Sequence, residues 1–228
     1  IRLLYDEAKR YNSDMVFCGY RMVDTEGGVL KSVKVTQSDD EATIYKMMTI
    51  CMRIFKREFI EKHNITFPVG VRGEDIPFNM TVNALGSNIR CISYEGYNYV
   101  QHSSSAMKKM AGLGSYRLPV KEIAETMEYI RSYGCKNSWD YVELCALRSY
   151  AFFIFIFGRK SKKDKFRELY ISIKEVLDKE CPECYKNPYV KLTKPSEFPL
   201  VHRVALVVFT RLYRMGLLYQ FAYLFTRI

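Results

Sequence analysis

Residues 13–20 have the sequence Ser13-Asp14-Met15-Val16-Phe17-Cys18-Gly19-Tyr20, and they decide the fold class. From Met15 onward the stretch contains no charged residue and no alternation of polar with apolar positions. Such a run predicts a mostly buried strand. Apolar residues at helical spacing precede it and predict a helix that leads into the strand: Leu3, Leu4, Ala8 and Tyr11. A helix followed by a buried strand indicates an α/β fold.

Short strands and helices continue to about residue 100, and then the pattern changes. Gly27-Gly28 predicts a turn, and a strand at 30–36 and a helix at 39–48 are predicted after it. Further along the chain, the pattern predicts a helix at 76–85 and strands at 89–92 and 94–100. After residue 118 the apolar spacing is helical, with helices predicted at roughly 119–133, 138–157, 163–180 and 200–226. The sequence therefore predicts an α/β unit over residues 1–107 and an all-α extension over residues 108–228.

The positive charge of the chain is confined to the helical part. The chain has 35 Lys and Arg against 25 Asp and Glu, a net charge of +10, but residues 1–107 hold 13 of each sign. Residues 108–228 therefore hold 22 basic and 12 acidic side chains. Nucleic acid and the inner leaflet of a membrane both attract clustered cations, so the charge predicts an anionic partner without choosing between the two.

The cysteines fit a reducing compartment. Seven cysteines lie at positions 18, 51, 91, 135, 145, 181 and 184, an odd number without the regular spacing of a disulfide scaffold. Cys181-Pro182-Glu183-Cys184 brings two thiols together, but a structural zinc site needs two further ligands at comparable spacing, and the sequence offers none. We therefore predict a cytoplasmic protein without a zinc site.

Four stretches occur in an informative order. They are residues 13–20, residues 54–59 with 65–68, the motif Gly73-Glu74-Asp75-Ile76-Pro77-Phe78-Asn79, and residues 97–99 with 103–105. In this order and spacing they resemble bacterial family 2 glycosyltransferases of the GT-A type, which build surface polysaccharides. The resemblance implies that residues 1–107 are the acceptor-side half of a partial GT-A domain.

The front of the family's pattern has no counterpart here. The nucleotide-binding strands and the metal-binding Asp-x-Asp motif are missing, and Asp39-Asp40 is no substitute because it opens a helix beyond the place of that motif. The chain also begins inside a predicted helix, so we expect an upstream part in the natural protein. The implied cofactor is a divalent cation, Mg²⁺ or Mn²⁺, with ligands mostly outside this chain. The chain alone is expected to be inactive.

Asp75 is the catalytic base that the resemblance implies. Inverting transfer requires an acceptor hydroxyl to lose its proton as it attacks the anomeric carbon, so an ionised carboxylate must lie within hydrogen-bond distance. Glu74 points elsewhere and is expected to bind acceptor hydroxyls or to orient the loop. The residues also fit a structural role, with Asp75 as the N-cap of the next helix and Pro77 in its first turn. Capping and catalysis are compatible, because a cap-held carboxylate stays ionised.

Four further residues are candidate substrate-binding groups. Arg72 fits contact with an anionic ligand and equally a solvated loop charge. Tyr97 and Tyr99 fit an aromatic platform for a sugar ring and equally side chains packed on a core. His102 fits contact with a donor phosphate or a metal ion, although a single histidine before three serines is also typical of an ordinary loop.

Together these inferences predict an inverting glycosyltransferase. It would transfer a sugar from a nucleotide-sugar donor to a glycan or lipid-linked acceptor in cell-surface polysaccharide synthesis. The alternative is a non-catalytic basic module that binds an anionic membrane or nucleic acid. Nucleic acid is the weaker candidate of the two, because the sequence has no RNA-binding aromatic signature, zinc-finger spacing or basic zipper. A folded but inactive relative of such enzymes is a further alternative.

The helical extension is the candidate membrane contact. The apolar run 151–157 precedes six cations: Arg159, Lys160, Lys162, Lys163, Lys165 and Arg167. On the last predicted helix, four polar residues form a narrow stripe: Arg203, Thr210, Arg211 and Arg214. Apolar residues beside cations predict peripheral binding at the inner face of the cell membrane. The arginines exclude a span, which needs about 20 largely apolar residues. The alternative is that this apolar face packs on the protein's own core.

Overall fold

The strand predicted at the start of the chain is the centre of the sheet. This computed structural model describes residues 1–35, 41–102, 113, 114, 116–135 and 139–227, and within them four strands form one mixed sheet: β1 (Met15–Val23), β2 (Val29–Val33), β3 (Arg53–Phe55) and β4 (Ile89–Val100). β4 runs parallel to β1 along its whole length. On the other edge of β1, β3 pairs antiparallel with residues 15–17 and β2 with residues 20–23. With both edges paired, residues 15–18 are buried.

Gly19 lies where the neighbour of β1 changes from β3 to β2. A Cβ atom there would lie 2.4 Å from the carbonyl oxygen of Val33 and 3.4 Å from that of Tyr94. The pairing of β1 with β4 shifts register at the same place. Backbone therefore approaches Gly19 closely from both edges, which leaves no room for a side chain.

The helices fall into two groups along the chain. The first half contains α1 (Arg2–Tyr11), α2 (Glu41–Lys46), α3 (Arg57–Lys62) and α4 (Asp75–Leu85). The remainder contains α5 (Val120–Tyr133), α6 (Trp139–Phe152) with a π-helical turn (Phe153–Phe157), α7 (Lys163–Glu180), a 3₁₀ turn (Cys184–Lys186), α8 (Leu200–Arg214) and α9 (Leu218–Phe225). The predicted fold class, an α/β part followed by helices, is confirmed.

α4 is the helix on which both groups pack. Every residue from Pro77 to Leu85 is buried, so this length of the helix has no solvent-facing side. α5 and α6 pack on α4 from one part of the chain, and α2 packs on it from the other. Met80, Ile123 and Leu144 belong to the same buried cluster, so the core is continuous from the sheet into the later helices.

Two predicted elements differ in detail. One strand, β4, replaces the two strands predicted at 89–92 and 94–100, because the irregularity between them is only a register shift in its pairing with β1. The helix predicted at 200–226 is two helices, α8 and α9. Gly216 separates them with a φ of 70°, a left-handed conformation that ends a helix.

The surface predicted for membrane contact lies partly in the core. Of residues 151–157, only Phe152 is exposed and Ile156 is half-buried. Thr210, expected on the polar stripe of the last helix, is buried, and its hydroxyl donates to the carbonyl oxygen of Leu206 at 2.9 Å. The run 151–157 therefore packs mostly within the protein, while of the predicted stripe only Thr210 is buried and Arg211 and Arg214 are exposed. Within the described residues, no helix combines the length and the apolar character that a membrane span needs.

A buried arginine joins the sheet to the helices. Arg53 in β3 donates through Nε to the carbonyl oxygen of Thr49 at 3.0 Å, and through its terminal nitrogens to the carbonyl oxygen of Met47 and to Oδ1 of Asn83 in α4. Burial lowers the pKa of Arg53 to about 10, so the guanidinium remains charged at neutral pH. The segment from Met47 to Thr49 lies in neither helix nor strand, and its carbonyl groups need such donors.

Two other side chains, buried Asn79 and half-buried Arg148, bind the same region. Nδ2 of Asn79 in α4 donates to the carbonyl oxygen of Met48 at 2.7 Å. Nη1 of Arg148 in α6 lies 3.3 Å from the carbonyl oxygens of both Tyr45 and Lys46, at the end of α2. A strand and two helices that are distant in sequence thus hold one irregular segment, and the segment connects them in turn.

Arg53→Met is expected to lower the free energy of unfolding by about 2 kcal/mol, because each buried carbonyl oxygen left without a donor costs on the order of 1–3 kcal/mol. Removing a buried charge offsets part of that loss. Urea denaturation followed by circular dichroism measures the change. Arg57→Met, at an exposed position on α3, is the control and should match the wild type. A fully stable Arg53→Met variant would contradict the structural role.

Candidate active site

A glycine loop leads into α4 and is anchored to the segment before α5. Gly70 and Gly73 have φ angles of 76° and 96°, in the left-handed region that favours glycine. Between them Val71 forms a bridge with Arg117, and the backbone N–H of Arg72 donates to the Arg117 carbonyl oxygen at 2.8 Å. The anchored loop therefore fixes the position of the Glu-Asp pair at the start of α4.

Glu74, and not Asp75, occupies the N-cap position of α4. The structural alternative considered for Asp75 is therefore wrong in detail, since Asp75 is the first residue of the helix itself. The exposed Glu74 carboxylate accepts a hydrogen bond from the N–H of Gly73 at 3.0 Å and none from within the helix. Asp75 is half-buried, where the positive end of the helix dipole favours a carboxylate.

Asp75 lies in an environment that makes its carboxyl more basic. Burial and the neighbouring Glu74 raise the pKa of Asp75, while its own backbone N–H and the Arg53 guanidinium oppose the rise. Burial, with a smaller effect from the charge of Asp75, also raises the pKa of the Cys145 thiol in α6 to about 12. The carboxylate thus lies within electrostatic range of β3 and α6, and a raised pKa suits a proton acceptor.

Tyr97 and Tyr99 of β4 form a tyrosine cluster with Tyr20 of β1. The ring centroids of Tyr97 and Tyr99 are 6.4 Å apart, and those of Tyr20 and Tyr99 are also 6.4 Å apart. A hydrogen bond with the Cys51 thiol is the main cause that raises the pKa of Tyr97. Tyr97 is 38% exposed and Tyr99 is half-buried, so the cluster presents aromatic surface to solvent.

Residues 48–51 connect Asp75 to the tyrosine cluster. The Met48 carbonyl oxygen accepts a hydrogen bond from Asn79, which lies one helical turn beyond Asp75. Three residues after Met48, the Cys51 thiol forms a hydrogen bond with Tyr97. The helix that begins at Asp75 and the tyrosine cluster therefore both hydrogen-bond to one short segment. No sequence pattern pointed to a role for Cys51 or for Arg53. A charged residue inside the apolar stretch 52–55 was the one available signal for Arg53.

Arg72 is not a freely solvated loop charge. Its guanidinium lies over the ring of Tyr116 at 4.5 Å from the centroid and over the ring of Phe157 at 5.1 Å. Such cation–π contacts hold the side chain beside the loop that carries Asp75. The half-buried Arg72 therefore contributes fixed positive charge next to the Glu-Asp pair.

His102 is exposed two residues beyond the end of β4. Among the described residues, no hydrogen bond, ion pair or ring contact joins it to Asp75 or to the tyrosine cluster. The serines at 103–105 and the aspartates at 39 and 40 lie outside the described residues. Within the part of the chain that is described, no three His, Cys, Asp or Glu side chains are grouped as metal ligands.

The fold of the chain is similar to that of TarS of S. aureus, a glycosyltransferase: the structure of TarS 1–349 in complex with UDP-GlcNAc has a TM-score of 0.58 and 15% sequence identity to this chain. The match covers 94% of this chain and 63% of the TarS chain. The UDP complex of the same protein gives a TM-score of 0.57 at 14% identity. At such identities the likeness is one of fold. No protein-family model and no curated protein matches the sequence.

Asp75→Asn is expected to raise stability near neutral pH. Because folding raises the pKa of this carboxyl, its stabilising contribution is fully present below the unfolded pKa of about 3.9 and is lost as the pH rises through the folded pKa. The Asn variant never carries the buried charge. Its free energy of unfolding should therefore exceed that of the wild type near pH 7, with a smaller difference in acid.

Asp178 supplies the opposite case as an internal control. Hydrogen bonds from Lys174 and Tyr213 lower the pKa of Asp178, so its contribution is present above the unfolded pKa and lost as the pH falls through the folded pKa. Asp178→Asn should therefore lose stability near neutral pH. Urea unfolding of both variants at neutral and acidic pH compares them. A loss of stability in Asp75→Asn at neutral pH would contradict the assigned environment.

Proposed function

We propose that this chain is the acceptor-side portion of an inverting glycosyltransferase of the GT-A type and family 2. In this proposal the complete protein transfers a sugar from a nucleotide-sugar donor to a glycan or lipid-linked acceptor during cell-surface polysaccharide synthesis. The observation that carries the proposal is the half-buried Asp75 carboxyl with its raised pKa, held at the end of a fixed loop in a glycosyltransferase fold.

Asp75 accepts a proton in the proposed step. The acceptor hydroxyl gives its proton to the Asp75 carboxylate while its oxygen forms a bond to the anomeric carbon. The bond from that carbon to the nucleoside diphosphate breaks, and the diphosphate leaves on the opposite face with the electron pair. The configuration at the anomeric carbon is therefore inverted. Burial favours this assignment, because it brings the pKa of the carboxyl nearer to neutral pH.

The other candidates have supporting roles in this proposal. Glu74 is exposed at the loop end, where its second carboxylate oxygen is available to an acceptor hydroxyl. Tyr97 and Tyr99 offer aromatic faces, on which sugar rings pack through their C–H groups. Arg72 adds positive charge near the place where a diphosphate gains negative charge. His102 retains the weakest case, since it makes no contact with the others in the described residues.

The donor is proposed by analogy with TarS, whose structures contain UDP-GlcNAc and UDP. This chain spans 63% of the TarS chain, so we propose that the nucleotide-binding part lies outside these residues. A divalent cation, Mg²⁺ or Mn²⁺, would neutralise the leaving diphosphate. The described residues do not fit such an ion, because they contain no cluster of three ligands. The step assigned to Asp75 therefore uses only proton transfer by this chain.

Asp75→Asn, made in a protein that joins this chain to its donor-binding part, is expected to lower kcat by about 10² or more, because an amide cannot accept the proton. The KM for the donor should change little, since Asp75 acts on the acceptor. Initial rates with a matched acceptor measure both constants.

Glu74→Gln is the matched control, with the same loss of charge one residue away. Its effect should be milder, since Glu74 orients the acceptor or the loop and accepts no proton in the step. If Asp75→Asn transfers sugar at nearly the wild-type rate, Asp75 is not the base. If Glu74→Gln loses as much kcat as Asp75→Asn, the two roles are assigned wrongly.

The chain of 228 residues alone is expected to bind nucleotide sugars only weakly. Calorimetric titration with UDP-GlcNAc and Mn²⁺ should give no binding heat at micromolar concentrations, because the proposed donor pocket lies outside this chain. UDP alone serves as the parallel titration. Micromolar affinity for either ligand would place the donor site within these residues and overturn this part of the proposal.

A further inference from the structure

One helix leaves an apolar face uncovered. α9 buries Leu218 and Ala222 against the protein and contains no charged residue. Four apolar residues at its start and along its length are exposed by between 43% and 67%, although two of them also touch the Phe155 ring, and we name them the α9 face: Leu217, Phe221, Leu224 and Phe225. At about 100° per residue, these four positions fall within an arc of about 100°. The exposed residues therefore form one continuous stripe.

Four exposed cations lie in and just after the turn that contacts the end of α9, and we name them the cationic loop: Arg159, Lys160, Lys162 and Lys163. The backbone N–H of Lys160 donates to the carbonyl oxygen of Thr226, just after α9, at 3.2 Å. The ring of Phe155, shortly before the loop, lies 5.6 Å from that of Phe225. Within the described residues, none of the four cations has a salt-bridge partner.

The cationic loop is held by the core beneath it. A Cβ atom at Gly158 would lie 2.3 Å from the carbonyl oxygen of Ile154 and 2.8 Å from the ring of Phe166, so the turn packs closely there. The buried Ser161 hydroxyl donates to the carbonyl oxygen of Phe157 at 3.1 Å and accepts from the N–H of Leu113 at 3.0 Å. The four cations are therefore presented at a fixed place beside α9.

We propose that the α9 face and the cationic loop together form a docking surface for an anionic membrane. The apolar stripe enters the boundary between headgroups and acyl chains, and the cations contact lipid phosphates. α9 has eight residues and is about 12 Å long, far short of the roughly 30 Å of a hydrocarbon core, so it lies in the plane of the interface. The proposal does not depend on catalysis by Asp75, because it concerns another surface.

Charge and shape favour a membrane over the other occupants. A two-fold contact between copies through α9 would bring two cationic loops of like sign together, which is unfavourable. Nucleic acid would pair with the cations, but its phosphates and sugars offer nothing to Leu217 or Leu224. An anionic lipid surface satisfies both parts at once, because it has negative headgroups above apolar chains.

Sedimentation of the intact chain with vesicles tests the apolar part. The chain should bind phosphatidylcholine vesicles that contain phosphatidylglycerol, bind less in high salt, and not bind phosphatidylcholine alone. Leu224→Glu should lower the partition coefficient about tenfold or more, because a charge enters the apolar stripe. Val69→Glu is the matched control: Val69 is 93% exposed in the α/β half, and its substitution should have little effect. If Leu224→Glu fails to fold by circular dichroism, Leu217→Glu replaces it.

A pair of charge reversals tests the cationic part. Lys162→Glu with Lys163→Glu should lower binding about tenfold or more, and acidic residues suit this start of α7. The double variant Arg57→Glu with Lys62→Glu on α3 changes the net charge by the same amount and should lower vesicle binding less. If both double variants lose the same amount of vesicle binding, the binding depends only on net charge, and the proposal is overturned. Absence of binding at low salt would overturn it, as would a lipid-free dimer that Leu224→Glu converts to monomer in sedimentation velocity.

Discussion

The constraint on which the structure depends lies at residues 45–49, the end of α2 and the irregular segment that follows it, whose carbonyl oxygens accept hydrogen bonds from three distant side chains. Arg53, Asn79 and Arg148 supply the donors, and they come from β3, α4 and α6. Burial lowers the pKa values of both arginines, which means that the fold bears the cost of desolvating two charges to satisfy this backbone. The geometry of the sheet relative to α4 and α6 follows from these bonds, because displacing any one element would leave buried oxygens without partners.

The candidate site takes its position from the same segment. Asn79, which binds it, lies one turn beyond Asp75, and Cys51, which follows it, bonds to Tyr97. The helix that carries the carboxylate and the strand that carries the aromatic surface are thus both bound to one short stretch of backbone. Arg53 adds a fixed positive charge that opposes part of the rise in the pKa of Asp75 that burial causes. The site is pre-organised by contacts whose first role is to satisfy the core.

Local patterns in the sequence predicted the elements that depend on local causes. The apolar stretch 15–20 is the central strand, and the glycines at 70 and 73 mark the loop before Asp75. What the sequence did not reveal depends on distant partners: Arg53 is joined to Asn83 across 30 residues, and Arg148 to Tyr45 across 103. The apolar run 151–157 failed as a membrane surface for the same reason, since composition alone cannot distinguish a face covered by α8 and α9 from a free one.

One aromatic connection links the loop of Asp75 to the docking surface. The Arg72 guanidinium lies over Phe157, the last residue of the π-helical turn, and Phe155 of that turn contacts Phe225 in α9. Phe155 and Phe157 are buried, so the contacts at both ends of the connection are made to the packed core. Under the proposed docking, a membrane bound at α9 would set the direction from which Asp75 meets its acceptor. For a lipid-linked acceptor, such a fixed approach would lower the entropy cost of orienting the enzyme and its acceptor for the reaction.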